Sequence, residues 1–348
     1  MLPPRANSEP DLTDLCRQLI PEHSITAIKH VRPTRHQRQN VYRLIDSSGL
    51  YILLKLFLNN GDRGSDADTF HMECTALKHL RHLGCPVPTL IAADANLGAI
   101  ATEWIPGDTL TSRLINNTLT QGDRSLVAQM LTAFNTGFRS MTKQFDAKRQ
   151  ERIRRALESR THDEIDGLAG DLASLIHPLD IIPWRENLEH SKRLISQGDW
   201  SHGSLDCNPS NIILTANTAY LIDISILGAE WCERRTVRYG IAPTSQGTSR
   251  QFKTMFNTAM VKYYSKLNCD PASSIAIGER IDLHHLIMGL QQLHNQLNLP
   301  TRQVSPSVNV SLAPQTPGKR ELLHLAEHKL SANRVSASLR AIVGRILY

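Results

Sequence analysis

The stretch His202-Gly203-Ser204-Leu205-Asp206-Cys207-Asn208-Pro209-Ser210-Asn211-Ile212-Ile213-Leu214 holds the groups best suited to chemistry. Asp206 and Asn211 stand five positions apart on a loop, and Asp223 ends the apolar run Tyr220-Leu221-Ile222. Two carboxylates and an amide oxygen are hard donors. Brought together they suit Mg²⁺, which takes a few such oxygens plus those of a phosphate. Phosphoryl transfer needs little covalent help; it needs positioning and charge neutralisation. These residue types therefore point to a metal held near a hydroxyl that one carboxylate orients. Each also has a plainer reading. Asp206 and Asn211 suit a turn around Pro209, and Asp223 could cap the turn after its strand.

Elements on either side must hold these groups. Upstream, Asp11 to Ile20 has helical spacing, and Ser24 to Ile28 then His30-Val31 reads as β. Asn40-Val41-Tyr42-Arg43-Leu44-Ile45 and Leu50 to Leu58 flank Asp46-Ser47-Ser48-Gly49, which predicts a hairpin. Lys55 is the one charge in the second of these runs. Thr69 to Leu83 reads as a helix ending at Gly84. Val87 to Ala93 and Ala99 to Ile105 read as strands around Asp94 to Gly98, and Pro106-Gly107 breaks the pattern. From Asp108 to Ile195 the chain reads as mainly helical. Ile212 to Leu214 and Ala219 to Ile222 are short apolar runs, and Arg250 to Asn298 is helical again. The sum is a small β-rich half with one main helix, then a larger helical half interrupted by a motif-bearing hairpin.

In this order the motifs resemble the protein-kinase-like superfamily. The nearest branch is that of aminoglycoside phosphotransferases and choline kinase-like enzymes, with the related lipopolysaccharide-sugar kinases. The resemblance runs from about residue 24 to 300. It implies an α+β, bilobal protein-kinase-like fold: a small antiparallel β-sheet lobe with one main helix, and a larger mainly helical lobe. The implied boundaries are 1–107 for the small lobe, with a hinge near 103–107, and 108–300 for the large lobe with the catalytic and metal motifs. The implied activity is that of an ATP- and Mg-dependent kinase acting on a hydroxyl of a small molecule or sugar. Asp206 would take the catalytic place, and Asn211 and Asp223 the metal-binding places. Lys55 would be the ATP-phosphate lysine and Glu73 its helix partner. Glu103, Trp104 and Ile105 match the hinge whose backbone meets adenine. The turn between the first two strands has no glycine-rich loop; Arg35, His36 and Arg38 occupy it and would offer side-chain donors to the phosphates.

Two departures keep alternatives open. Ser204 follows His202-Gly203 where the family has Asp, so the base is either Asp206, whose spacing to Asn211 is that of the family, or Ser204. The metal motif reads Asp223-Ile224-Ser225. A pseudokinase that binds a partner is the rival reading, and a protein kinase a further one. Taken singly, Lys55 would be a snorkelling strand residue and Glu73 a solvated helix residue. His202 reads as an organiser of its loop.

Composition narrows the rest. The 348 residues carry 39 Lys and Arg against 33 Asp and Glu, with 41% hydrophobic and 21% charged residues. That is an ordinary globular balance, which excludes wholesale disorder and fibrous repeats. No run approaches the ~18 apolar residues of a membrane span. The start, Met1-Leu2-Pro3-Pro4-Arg5, has no apolar signal core. Six cysteines without CxxC spacing read as reduced thiols in a cytoplasmic protein, with no zinc site. Most of the +6 net charge lies after Pro300, where Arg302, Lys319, Arg320, Lys329, Arg334, Arg340 and Arg345 face only Glu321 and Glu327. Residues 301–318 read as a linker and 319–348 as a basic C-terminal helical segment. Such a helix either docks on the large lobe or makes peripheral contact with an anionic membrane at its inner face. Lys148 to Arg160 reads as a salt-bridged solvated helix, and no nucleic-acid partner is expected. The acceptor and the oligomeric state are not written in any motif.

Overall fold

The computed structural model describes residues 9–31, 39–57, 65–171, 179, 181–224, 227–241, 250–266 and 273–298. Arg35, His36 and Arg38, together with the linker and basic segment of 301–348, lie outside the described residues. The chain begins α1 (Glu9–Leu19), β1 (Ile25–His30), β2 (Gln39–Asp46), β3 (Tyr51–Phe57), α2 (Ser65–His82), β4 (Leu90–Asp94), β5 (Ala99–Glu103) and β6 (Asp108–Thr109). It continues α3 (Leu110–Ile115), α4 (Gln121–Thr142), α5 (Ala147–Asp171), α6 (Ile181–Ser196), β7 (Trp200–Ser204), β8 (Ile212–Leu214) and β9 (Ala219–Leu221). It closes with β10 (Leu227–Trp231), α7 (Cys232–Ile241), α8 (Arg250–Lys266) and α9 (Ser273–Asn298). This is the expected α+β class.

Two compact units divide the chain. Of the described residues, one comprises those up to Thr109 with Gly203–Asp206 and Asn211–Gly228; the other comprises Leu110–His202, Cys207–Ser210 and those from Ala229 to Asn298. The sequence placed the motif-bearing hairpin within 108–300, yet it packs with the first unit. The cause is local: β6 pairs antiparallel with β8, and β8 with β9. The Leu221 N–H also donates to the Pro86 carbonyl at 3.1 Å.

The first unit is built on an antiparallel sheet ordered β1-β2-β3-β5-β4. Alternation along β3 divides its two faces. Ile52, Leu54 and Leu56 are buried in one apolar cluster with Leu12, Cys16 and Leu19 of α1 and with Leu44, Ala99 and Ala101. Leu53, Lys55 and Phe57 therefore face the other way. There α2 covers part of the sheet, with Phe70 edge-on to Phe57 at 5.6 Å and Cys74 and Ile100 completing a smaller cluster. The β2–β3 turn is fixed by Asp46, whose carboxylate accepts from the Ser48 hydroxyl and N–H, from Leu50 N–H and from the His23 ring. Led by the Ser48 hydroxyl, these donors hold the carboxyl well below its usual range. At the end of α2, Gly84 has φ +73°, and Cys85 N–H reaches Leu80 O while Gly84 N–H reaches Arg81 O. That closes the helix in a left-handed cap, the conformation that glycine adopts without cost.

Where sequence and structure part, the backbone explains it. The strand expected from Val87 starts only at Leu90, because Pro86 and Pro88 have no N–H to give a ladder. The strands β7 and β10, which pair with each other, were not legible in Trp-Ser-His-Gly-Ser and Leu-Gly-Ala-Glu-Trp, which alternate poorly and carry glycine. In the second unit the core joins Leu157 and Ile165 of α5, Trp184 and Leu188 of α6, and Leu283 and Ile287 of α9. On α5 the expected pairs form, Arg155 with Glu151 at 2.6 Å and Arg154 with Glu158 at 3.0 Å. Among the described residues no helix is long and apolar enough to cross a membrane.

Candidate functional site

Lys55 is the clearest product of this architecture. Strand alternation sends its side chain away from the α1 face, and α2 meets it there. Phe70, Cys74 and Leu77 bury the helix face that carries Glu73. The Lys55 Nζ donates to both Glu73 carboxylate oxygens at 2.9 Å and to Asp223 Oδ1 at 3.1 Å. Lys55 is 5% and Glu73 4% exposed. Burial opposes the lysine's charge, but Glu73 and Asp223 outweigh it, so its pKa is raised and the ammonium persists at neutral pH. The lysine and the helix glutamate expected to pair do pair.

The carboxylates and amide of the opening motif also gather. Asn211 Nδ2 donates to Asp206 Oδ2 at 3.0 Å, and Ile222 N–H donates to the Asn211 carbonyl at 2.9 Å, which ties the loop to the Asp223 strand. Asn211 is buried and the Asp223 side chain is 29% exposed. Ser204 is fully enclosed, whereas Asp206 is half-buried. Between the two candidate bases, burial favours Asp206 as the one a substrate can meet. The ring of His202 is packed edge-on to Phe145 at 5.4 Å, and its backbone N–H donates to Thr142 Oγ1 at 2.7 Å. Burial, then Arg235 and Arg149, push its pKa down, so a neutral imidazole organises the loop start.

Lys55, Asn211 and Asp223 line one cavity of about 420 Å³. Val31, Val41, Leu53, Pro88, Thr102, Ile213 and Ile222 also line it, as do Glu103, Trp104, Ile105, Gly107 and Thr109. A mostly apolar slot of this size with a few polar groups is the ordinary form of a small-molecule site. All three expected hinge residues border it. The Glu103 carboxylate is turned onto Thr89, accepting from its N–H and hydroxyl at 3.2 and 2.9 Å. The Glu103 carboxylate is thus spent on the residue that precedes β4. The apolar wall was missed in the sequence. Register alone could have found part of it: Val41 lies opposite Lys55 in the β2–β3 pair, and Leu53 is two residues from Lys55 on the same face.

Gly107 is a second residue whose role needed the structure. Its φ is +154°, and a Cβ there would sit 2.3 Å from the Leu214 carbonyl oxygen. The close approach lets Asp108 and Thr109 pair with Leu214 and Ile213. Gly107→Ala is expected to lower stability by about 1–3 kcal/mol from the backbone conformation alone, and by more from the clash. Thermal unfolding checks this; an unchanged midpoint would show that β6 can part from β8 without cost.

A magnesium ion fits the donors present. The Asn211 amide nitrogen is engaged by Asp206, so the oxygen is what that side chain has left to offer, and Asp223 supplies a partly exposed carboxylate. Among the described residues no three His, Cys, Asp or Glu side chains gather in metal-holding geometry. The two oxygens would need phosphate oxygens or water to complete a shell.

No protein-family model and no curated protein matches the sequence. Solved structures do. The macrolide 2'-phosphotransferase MphH from Brachybacterium faecium is matched over 82% of this chain and 91% of its own, at 12% identity and a TM-score of 0.52. The streptomycin-ATP-APH(2")-IIa ternary complex is matched over 85% and 93%, at 12% identity and 0.49. Choline kinase from Cryptosporidium parvum Iowa II is matched over 82% and 90%, at 12% identity and 0.48. The likeness to the macrolide phosphotransferase, over nine-tenths of that protein, shows that this chain has the kinase-like fold its sequence motifs resemble.

Proposed function

We propose that the protein is an ATP- and Mg-dependent phosphotransferase that phosphorylates a hydroxyl of a small molecule or sugar. One observation carries this reading: Lys55, Asn211 and Asp223 line a single cavity together with Glu103, Trp104, Ile105 and Gly107. A purine fits between the apolar walls, with its polar edge on the backbone of Glu103 to Ile105 and its phosphates toward Lys55. The Lys55 ammonium, fixed by Glu73, neutralises phosphate oxygens and holds the chain of phosphates in line. When bound at Asn211 and Asp223, magnesium would supply further charge neutralisation on those oxygens. Asp206 orients the acceptor hydroxyl and takes its proton as the new oxygen–phosphorus bond forms and the bond to ADP breaks. Asn211 keeps the Asp206 carboxylate in place through its amide nitrogen. The shared fold with a protein named a macrolide 2'-phosphotransferase supports the reading.

Incubation with Mg²⁺ and ATP should raise the unfolding temperature. ATP should then be consumed with one member of a panel of sugars, aminoglycosides and amino alcohols. A lipopolysaccharide core sugar belongs in that panel, because the basic segment after Pro300 would suit an anionic surface at the inner membrane face. No thermal shift and no turnover with any acceptor would overturn the proposal. A strong shift without turnover would favour the pseudokinase reading, for which Ser204 and Ile224 depart from the family pattern.

A further inference from the structure

We propose that Arg43 is a positioning residue for the nucleotide: it holds Trp104, and through Trp104 the backbone that borders the cavity. This rests on the reading of the cavity as a nucleotide site. In the β2–β3 pair Val41 lies opposite Lys55 and Arg43 opposite Leu53. Val41, Leu53 and Lys55 all line the cavity, so Arg43 stands on the same face of the sheet, one pair further out. Its guanidinium lies 5.3 Å from the ring centre of Tyr51 and 5.4 Å from that of Trp104. Both distances are within reach of cation–π attraction.

The chemistry of the guanidinium agrees with that role. Arg43 Nε is buried with no hydrogen-bond partner among the described residues, so at this atom the side chain makes no polar bond. A planar cation within reach of two rings is a use of arginine that lysine does not reproduce. The backbone needs such a brace. Trp104 N–H reaches Tyr51 O only at 3.4 Å, at the very end of the β3–β5 ladder. Two residues later Pro106 interrupts any further pairing. Trp104 borders the cavity and directly precedes Ile105, so displacement of its ring moves the backbone that would meet the base.

The test is a double-mutant cycle read by calorimetric titration with Mg²⁺ and ATP. Arg43→Met is expected to weaken ATP binding about tenfold, the scale of a partly desolvated cation–π contact. KM for ATP should rise to match while kcat stays within twofold. Trp104→Leu should cost about the same, and Arg43→Met should add nothing in that background. Acrylamide quenching gives an independent readout, since Trp184, Trp200 and Trp231 are buried at 1%, 3% and 0% exposure and the change would report Trp104. Arg43→Met should increase it. Should Arg43→Met not fold, Arg43→Lys removes the stack and keeps the charge, and the same cycle applies. Wild-type affinity in the Arg43 variant, or an undiminished penalty in the Trp104→Leu background, would overturn the proposal and leave the nucleotide site standing. Absence of ATP binding by the wild-type protein would overturn the site and this inference together.

Discussion

Lys55→Met is expected to slow phosphoryl transfer by about 10²–10³ and to destabilise the protein, and adding Glu73→Leu is expected to restore stability but no activity. The two effects have different origins. Lys55 and Glu73 are both almost fully buried and share two 2.9 Å bonds. Removing the ammonium leaves a buried carboxylate uncompensated, which typically costs about 3–5 kcal/mol. Asp223 suffers less, because its side chain is 29% exposed and water can replace the lysine. Replacing both buried partners by apolar groups of similar volume is typically neutral or stabilising by about 1–4 kcal/mol. Phe57, Phe70 and Ile100 nearby offer the double variant apolar neighbours. Transfer cannot recover in the same way, since nothing in the double variant neutralises the phosphates. Loss of one preorganised charge at such a site costs about 10²–10³ in rate. Chemical denaturation and turnover, measured on the same three proteins, separate the effects. If the double variant regained activity, Lys55 would be a structural cation and no part of the machinery.

How much of this was legible beforehand depended on the kind of signal. Lys55 could be found because a charge in the run Tyr-Ile-Leu-Leu-Lys-Leu-Phe contradicts its surroundings. Burial then demands a partner, and Glu73 lies on the next helix. Asp206, Asn211 and Asp223 could be found because their spacing around a Pro turn and an apolar strand is a local pattern. The apolar wall was not legible, because Val41, Leu53, Ile213 and Ile222 look like any strand residues until register sets them opposite Lys55 or beside Asn211. Gly107 read only as a break, since its need for a bare Cα comes from Leu214, a residue remote in sequence. Arg43 gave no signal at all. An arginine in a strand is ordinary, and the two rings that flank it come from β3 and from the residue that follows β5. The grouping of the β8–β9 hairpin with the first unit was not legible for the same reason. The hairpin of β8 and β9 lies far along the chain between two long helical stretches, while its partner β6 is only two residues long.

Asp206→Ala and Ser204→Ala should divide sharply. The alanine at 206 is expected to reduce kcat by about 10²–10⁴, the usual contribution of a positioned general base, with the affinity for ATP changed by no more than a few-fold. Asp206 is not among the residues that line the Lys55 cavity, and its carboxylate is tied to that site through the 3.0 Å bond from Asn211. That bond predicts a finer result. Asp206→Asn keeps the shape but sets an amide where Asn211 needs an acceptor. Rotation of the new side chain can offer its oxygen to Asn211 Nδ2, so magnesium dependence should survive while proton acceptance does not. Asp206→Ala removes the carboxylate acceptor and leaves the buried amide only the long 3.5 Å contact to the carbonyl of residue 206, at a cost of about 1–3 kcal/mol. The alanine variant should therefore need more magnesium for half-maximal turnover than the asparagine variant, although both are slow. Ser204→Ala should keep near-wild-type kcat, because a hydroxyl with no exposed surface cannot meet an acceptor. Steady-state rates over a magnesium titration would check all three. A slow Ser204 variant beside a fast Asp206 variant would move the base to Ser204.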